Sequence, residues 1–416
     1  MPEAPLQTTV CVVGGGPAGV VLALLLARAG IDVTVLEKHK DFNRDFRGDT
    51  IHSATLRVMN ELGLLEALLK IPHRRLEHAE AAIGDRTYPI GDFTTLPKPT
   101  NFVALMPQWD LLDFLSSETR KYANARILME HKVSALLFDP NEAERIVGVQ
   151  VETPQGPSEV RALLTVGCDG RHATTTEAAQ LKRVEYGAPI DVLWLRVSRR
   201  ADDPENALGN LNYGGMIVLI NRDDYFQCGY LIAKDSFHSA IQPAGLGAFR
   251  HAIARIVPFL GMPGPDGKSR VDEITSWDQV SLLSVQVNRL KRWHRPGLLC
   301  IGDAAHAMSP VGGVGINLAI QDAVAAARIL SERIRKAARS GRLDEQVLAK
   351  VQRRRELPTR ITQGFQVLMH GFLKRYLGNP APARAPWVLR TLSGSRLFRH
   401  LTARFIGLGV LPENID

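Results

Sequence analysis

The chain has 416 residues, 45% of them hydrophobic, enough for two or three domains and a substantial core, and this excludes a small stapled fold. Its four cysteines, Cys11, Cys168, Cys228 and Cys300, sit in strand-like apolar runs without metal-ligand spacing, which points to buried thiols, a reducing cytosol and no structural zinc. The formal charge of +8 lies mostly late, in Arg353, Arg354, Arg355, Arg360, Lys374, Arg375, Arg384, Arg390, Arg396, Arg399 and Arg404. Phe372, Leu373, Trp387, Leu389, Leu397 and Phe405 interleave with these cations, so amphipathic packing with a solvated basic face is expected. No nucleic-acid motif accompanies the charge. The apolar run at residues 20 to 27 belongs to a first helix, so neither secretion nor membrane insertion is expected.

From Val12 to Glu37 the chain reads VVGGGPAGVVLALLLARAGIDVTVLE: a strand, a glycine-rich turn, a helix and a second strand ending in an acid. Gly14 permits the tight turn, Gly16 removes a side chain where a pyrophosphate approaches, and Gly19 lets helix and sheet pack closely. Pro17 and Ala18 open the helix, whose first N–H groups face the phosphates. Glu37, followed by Lys38, is spaced to accept two ribose hydroxyls and would repel a 2′-phosphate. The site therefore suits FAD or NAD, not NADP.

A polar loop, RDFRGDTIHS, carries Arg47, and residues 54 to 70 have helical spacing. Short strands broken by Gly84 and Gly91 follow over 75 to 95, then a helix over 108 to 122 that starts at Gln108. A strand pair spans about 125 to 153, and ALLTVGCDG at 162 to 170 is an apolar strand ending in Asp169 and Gly170. From about 184 to 280 the pattern changes to strands with alternating aromatic and polar residues, and a helix near 245 to 259. Within that stretch Arg196, Tyr213, Tyr225, Gln227 and Gln279 are the candidates for substrate contacts. Tyr225 and Gln227 are expected on opposite sides of one strand. At 297 to 302 a buried strand ends in an acid, and a glycine-rich turn leads into a long helix. Pro358, Gly378, Pro380, Pro382 and Pro386 are expected to break up a C-terminal helical region.

Four separated segments together resemble the class A flavoprotein monooxygenases, relatives of para-hydroxybenzoate hydroxylase. They are the first glycine turn, Arg47, Cys168-Asp169-Gly170, and GDAAHAMSPVGGVGINLAIQDA from Gly302 to Ala323. The resemblance implies an α/β chain with a glutathione-reductase-type FAD-binding Rossmann fold. An inserted mixed β-sheet substrate domain and a C-terminal helical region complete it. The expected division is a discontinuous FAD-binding domain over 1–75, 98–183 and 281–345, a substrate-binding sheet over 76–97 and 184–280, and helices over 346–416.

By the same resemblance, Arg47 and Gln108 lie near the dinucleotide linker, and Asp303 accepts bonds from flavin ribitol hydroxyls. Pro310, Gly312, Gly313, Val314, Gly315, Ile316 and Asn317 form the turn facing the flavin pyrimidine edge. Read alone, Asp303 is also explained as a strand-end cap and Asn317 as a helix cap. After Asp169-Gly170 the segment departs from the family, with Ala173, Thr175 and Thr176 where a serine, a valine and an arginine usually stand. His306 need not be a base, since packing against the cofactor explains it.

The implied reaction is hydroxylation of a small aromatic compound, phenolic or polycyclic, through a C4a-hydroperoxyflavin. NADH or NADPH serves as a transient co-substrate, and dioxygen is the oxidant. The segments of a flavin-dependent halogenase are missing; a flavin oxidase or dehydrogenase, and a noncatalytic flavin-binding protein, remain as alternatives. A cytoplasmic monomer or homodimer is expected.

Overall fold

A computed structural model describes residues 5–43, 50–204, 209–264 and 267–415. Five strands lie parallel in the order Leu298–Cys300, Gly156–Gly167, Leu6–Val13, Val33–Leu36 and Ala125–Leu128. The four residues of Val33–Leu36 are all buried, as expected when a parallel sheet is covered on both faces. Helices Pro17–Arg28, Gln108–Arg120 and Gly315–Ser340 cover one face with a core of Val20, Leu22, Leu111, Ile320 and Val324. The other face is closed by an antiparallel meander, Lys132–Phe138 and Ile146–Thr153, and by Trp293. The stretch Val311–Ser340 is long and apolar enough to cross a membrane by length and composition, but most of it is buried, with Ile320, Val324 and Leu330 in this core.

A second, seven-stranded sheet is mixed. Its order is Ser281–Leu283, Ile190–Ser198, Tyr225–Ala233, Gly215–Asn221, Gly209–Asn212, His78–Ile83 and Arg86–Asp92, with only Gly209–Asn212 and His78–Ile83 paired in parallel. One face, carrying Leu193, Leu195, Ile217, Phe226, Cys228 and Tyr230, packs under the helix Gln242–Ile256. The other face looks toward the nucleotide fold. There Trp194 and Val218 join a cluster with Val311 and Leu373, and a second cluster with Phe93 and Ile406.

The C-terminal region departs from expectation in three ways. Pro358 does not break its helix, which runs unbroken over Glu345–Tyr376. A proline there forfeits one backbone bond, and tertiary bonds on either side, from Arg355 to Asp322 and from Gln363 to Asn288, hold the flanking turns. Arg355 is not on a solvated face but is fully buried between Asp322 and Glu413. Trp387 and Leu397, in contrast, are 73% and 65% exposed.

Replacing Arg355 by Met would take from the buried Asp322 its guanidinium partner, which costs about 3–5 kcal/mol, while Glu413 keeps Arg354. Urea unfolding should show that loss; a change below about 1 kcal/mol would mean that the pair is not a structural anchor.

Candidate active site

At the first turn Gly14 has φ +104°, and a Cβ there would sit 2.5 Å from the Cys168 carbonyl oxygen. One on Gly19 would collide with the carbonyl of Gly14, whereas one on Gly16 would meet nothing within 4 Å. The helix starting at Pro17 and the buried Ala18 has no side-chain cap and no acid in its first turn. Its first N–H groups are thus left for an anion. Glu37 is 7% exposed, and its oxygens accept from the backbone N–H groups of Gly15 at 2.9 Å and His39 at 3.1 Å. The acid therefore fastens the glycine turn to the second strand. Lys38 is exposed beside it. Arg47 lies outside the described residues.

Gly302 follows the returning strand Leu298–Cys300 and sits against Ala18 and Ala319, near the starts of the first and the long helix, with Asp303 next in the chain. The Asp303 carboxylate is 40% exposed and lies 4.0 Å from Arg171. Arg171 was missed in the sequence because its segment departs from the family pattern, although it directly follows Asp169-Gly170. Asp169 itself accepts from the N–H and hydroxyl of Thr175, at 2.9 and 2.6 Å. It thereby holds the short helix Thr174–Ala178, and burial pushes its carboxyl up. Gly170 follows with a positive φ, and Gln108 is half-buried at the head of its helix.

Pro310 starts a tight turn through Gly312 and Gly313. Gly313 has φ +63°, and a Cβ on it would collide with the Thr50 hydroxyl, which donates to the Gly313 carbonyl at 3.0 Å. Val314 precedes and Gly315 and Ile316 open the long helix, again with no side-chain cap and no early acid. The Asn317 amide oxygen accepts from the His52 N–H at 3.0 Å and the Thr55 hydroxyl at 2.7 Å. Asn317 thus ties the helix start to residues 52–55. Burial pushes His52 down to about 4, partly opposed by its bond to the Ile406 carbonyl.

The C-terminal helix supplies what sequence reading did not find. Gln366 accepts from the Ser309 N–H at 3.1 Å and donates to the carbonyls of Ser309 at 2.8 Å and Val311 at 3.0 Å. Gln363 donates to Asn288 and Ala307, and His370 is hydrogen-bonded to the Ser309 hydroxyl at 2.8 Å. His306 packs on Trp293 and bonds to Asp322 at 2.5 Å, which makes it structural. A polar stripe at helical spacing, Arg355, Thr359, Gln363, Gln366 and His370, was the available signal; such stripes ordinarily face solvent.

On the sheet, Gln227 is 3% exposed, Tyr225 is half-buried opposite Ser198, and Arg196 is exposed opposite Gln227. Tyr225 and Gln227 share a face instead of lying on opposite ones, because strand side chains alternate with a period of two. Tyr213 occupies a turn with φ +46°, its ring 4.2 Å from the Arg255 guanidinium. Gln279 spends its amide on capping, accepting from the N–H groups of Thr275 and Ser276 and donating to the Glu273 carbonyl.

The residues fit FAD: two uncapped helix starts lie side by side, with Asp303 at the strand end between them. A family described as FAD binding domain matches residues 7–225 and 266–363. The chain is a class A flavoprotein monooxygenase. It uses FAD and NAD(P)H to hydroxylate an aromatic substrate with dioxygen.

Among similar proteins, 6-methylpretetramide 4-monooxygenase of Streptomyces rimosus is 34% identical over 365 residues, spanning 86% of this chain and 84% of that one. Para-nitrophenol 4-monooxygenase of Pseudomonas sp. strain WBC-3 is 24% identical, covering 81% of each chain. In fold, the chain is similar to PqsL, a probable FAD-dependent monooxygenase of Pseudomonas aeruginosa. That match has a TM-score of 0.71 at 21% identity and covers 88% of this chain and 97% of that one.

Two outcomes follow for this monooxygenase. Asp303→Ala should weaken FAD binding about tenfold, the worth of one charge-assisted hydrogen bond; unchanged affinity in a flavin titration would make Asp303 a cap only. The folded His52 ring binds its proton less well than the unfolded one. Its contribution to stability is therefore lost as pH falls from about 6.5 to about 4. Thermal melts over that window should show a shallower decline in His52→Asn than in the parent; identical slopes would contradict this.

Proposed function

We propose that the aromatic substrate is a phenolic or polycyclic ring compound held between the inward face of the seven-stranded sheet and the turn Pro310–Gly313. One observation carries this reading: Trp194 and Val218 on that face share an apolar cluster with Val311 of the turn. Apolar side chains there exclude water, which reactive oxygen chemistry requires. FAD, when bound, supplies the activated oxygen. The first helix start would hold its diphosphate, Glu37 its ribose, Asp303 its ribitol, and the turn Gly312 to Ile316 its ring edge.

The same reading assigns the chain parts. Residues 1–75, 98–183 and 281–345 carry the FAD, 76–97 and 184–280 the substrate sheet, and 346–416 the helical brace, in a cytoplasmic protein. Gln227 leads the substrate candidates, since Tyr213 and Gln279 are engaged elsewhere. Only one complete dinucleotide fingerprint is present in the sequence, so the nicotinamide binds transiently in an exposed groove, with NADH accepted. Arg171, beside Asp303, is a cation on that route.

A compound of the 6-methylpretetramide kind is the first substrate to screen, by acceleration of flavin reduction. Turnover under labelled dioxygen should place one heavy oxygen atom in the product and the other in water. A dehydrogenated product without label would move the assignment to an oxidase or dehydrogenase.

A further inference from the structure

Two N–H donors stand unpartnered on the inward face of the seven-stranded sheet. The Trp194 Nε1 and the Gln227 Nε2 are both shielded from water and have no hydrogen-bond partner. Gln227 as a whole is 3% exposed. The register places them together: Trp194 pairs with Gly229 and Arg196 with Gln227, so the two side chains are diagonal neighbours across adjacent strands. The Trp194 ring lies over Gly229, where a Cβ would approach its carbons to 3.2 Å. A residue larger than glycine would therefore displace the indole.

The residues between them in each strand, Leu195 and Cys228, point the other way, into the core beneath the helix Gln242–Ile256. Trp194 and Gln227 thus point toward the nucleotide fold, where Trp194 touches both the cluster with Val311 and the cluster with Ile406. Burying a donor without an acceptor is costly, and here two such donors lie on one sheet face. Both groups are neutral, and the unpartnered atoms, an indole N–H and an amide NH2, are donors.

We propose that Trp194 and Gln227 form a donor pair that receives a carbonyl or phenolic oxygen of the aromatic substrate and selects oxygenated rings over hydrocarbons. The selectivity arises because a bare hydrocarbon ring leaves both donors unpaired, whereas an acceptor oxygen satisfies them. The pair fixes which edge of the ring meets the flavin turn. This rests on the site proposed above for the substrate, but not on oxygen transfer.

The test uses the FAD-loaded protein and two rings of matched shape, 9-fluorenone and fluorene, measured by equilibrium dialysis. The parent should bind the ketone about tenfold tighter than the hydrocarbon. Gln227→Met should weaken ketone binding several-fold and leave fluorene unchanged, and Trp194→Phe should lower the ratio of ketone to fluorene binding. The melting temperature of Gln227→Met should be unchanged or raised, since it removes an orphan donor at similar volume. Gln227→Glu keeps the shape, replaces donor by acceptor, and should lose the ketone preference.

Equal binding of the two rings by the parent, binding of neither, or a preference that survives in Gln227→Met and Gln227→Glu would overturn the proposal. Dialysis needs no turnover. A protein that selects the ketone yet incorporates no labelled oxygen would keep the donor pair and lose the hydroxylation, and the reverse pattern would do the opposite.

Discussion

One buried carboxylate, Asp322, fixes the geometry on which the flavin site depends. It has no exposed surface, and it accepts from the Gly302 N–H at 3.0 Å, from His306 at 2.5 Å and from the Arg355 guanidinium at 2.9 Å. Burial alone would raise its pKa, but the charges and hydrogen bonds of His306 and Arg355 outweigh burial and hold it below the ordinary carboxylate range. The ionised group thereby joins three pieces of chain distant in sequence: the end of the returning strand, the helix Gly315–Ser340 and the C-terminal helix. Glu413 extends the junction by pairing with Arg354 and Arg355.

Once Arg355 is fixed, the rest of its helix face follows. Gln363, Gln366 and His370 come up at successive turns against Ala307, Ser309 and Val311, and the amides of Gln363 and Gln366 bind the backbone there. A turn containing two positive-φ glycines has little stiffness of its own, so its shape is imposed by this helix on one side and by Thr50 and Asn317 on the other. A turn already shaped loses less conformational freedom when a cofactor ring is seated against it. The side of the helix that braces the turn also carries Leu373 into the cluster shared with Trp194, linking cofactor and substrate walls through one element.

Much of this was legible in the sequence where a residue's role is local. The glycine spacing at Gly14, Gly16 and Gly19 constrains a turn and a helix adjacent in the chain, and Gly302-Asp303 follows a strand whose apolar run is plain. The inserted sheet was visible through its alternation. What was not legible depends on partners far away in sequence. Arg355 reads as one more surface cation until Asp322, 33 residues earlier, is seen beside it. Gln366 looks like a solvated helix position, because nothing local tells an amide that binds water from one that binds Ser309. Pro358 carries a strong local signal for breakage that tertiary bonds override. Asn317 and Glu37 fall between: the pattern singles both out for the cofactor, and in the structure their oxygens bind the protein's own backbone.

The central claim is that the protein itself, before any cofactor arrives, shapes the segment from Gly302 to Val311. Hydrogen exchange of the apoprotein tests it most directly. The account predicts that the amides of Gly302 and Ser309 exchange nearly as slowly as those of the helix Gly315–Ser340, and that Gln366→Leu releases Ser309 selectively. Exchange at the rate of an open loop in the apoprotein, slowing only when FAD is added, would contradict it.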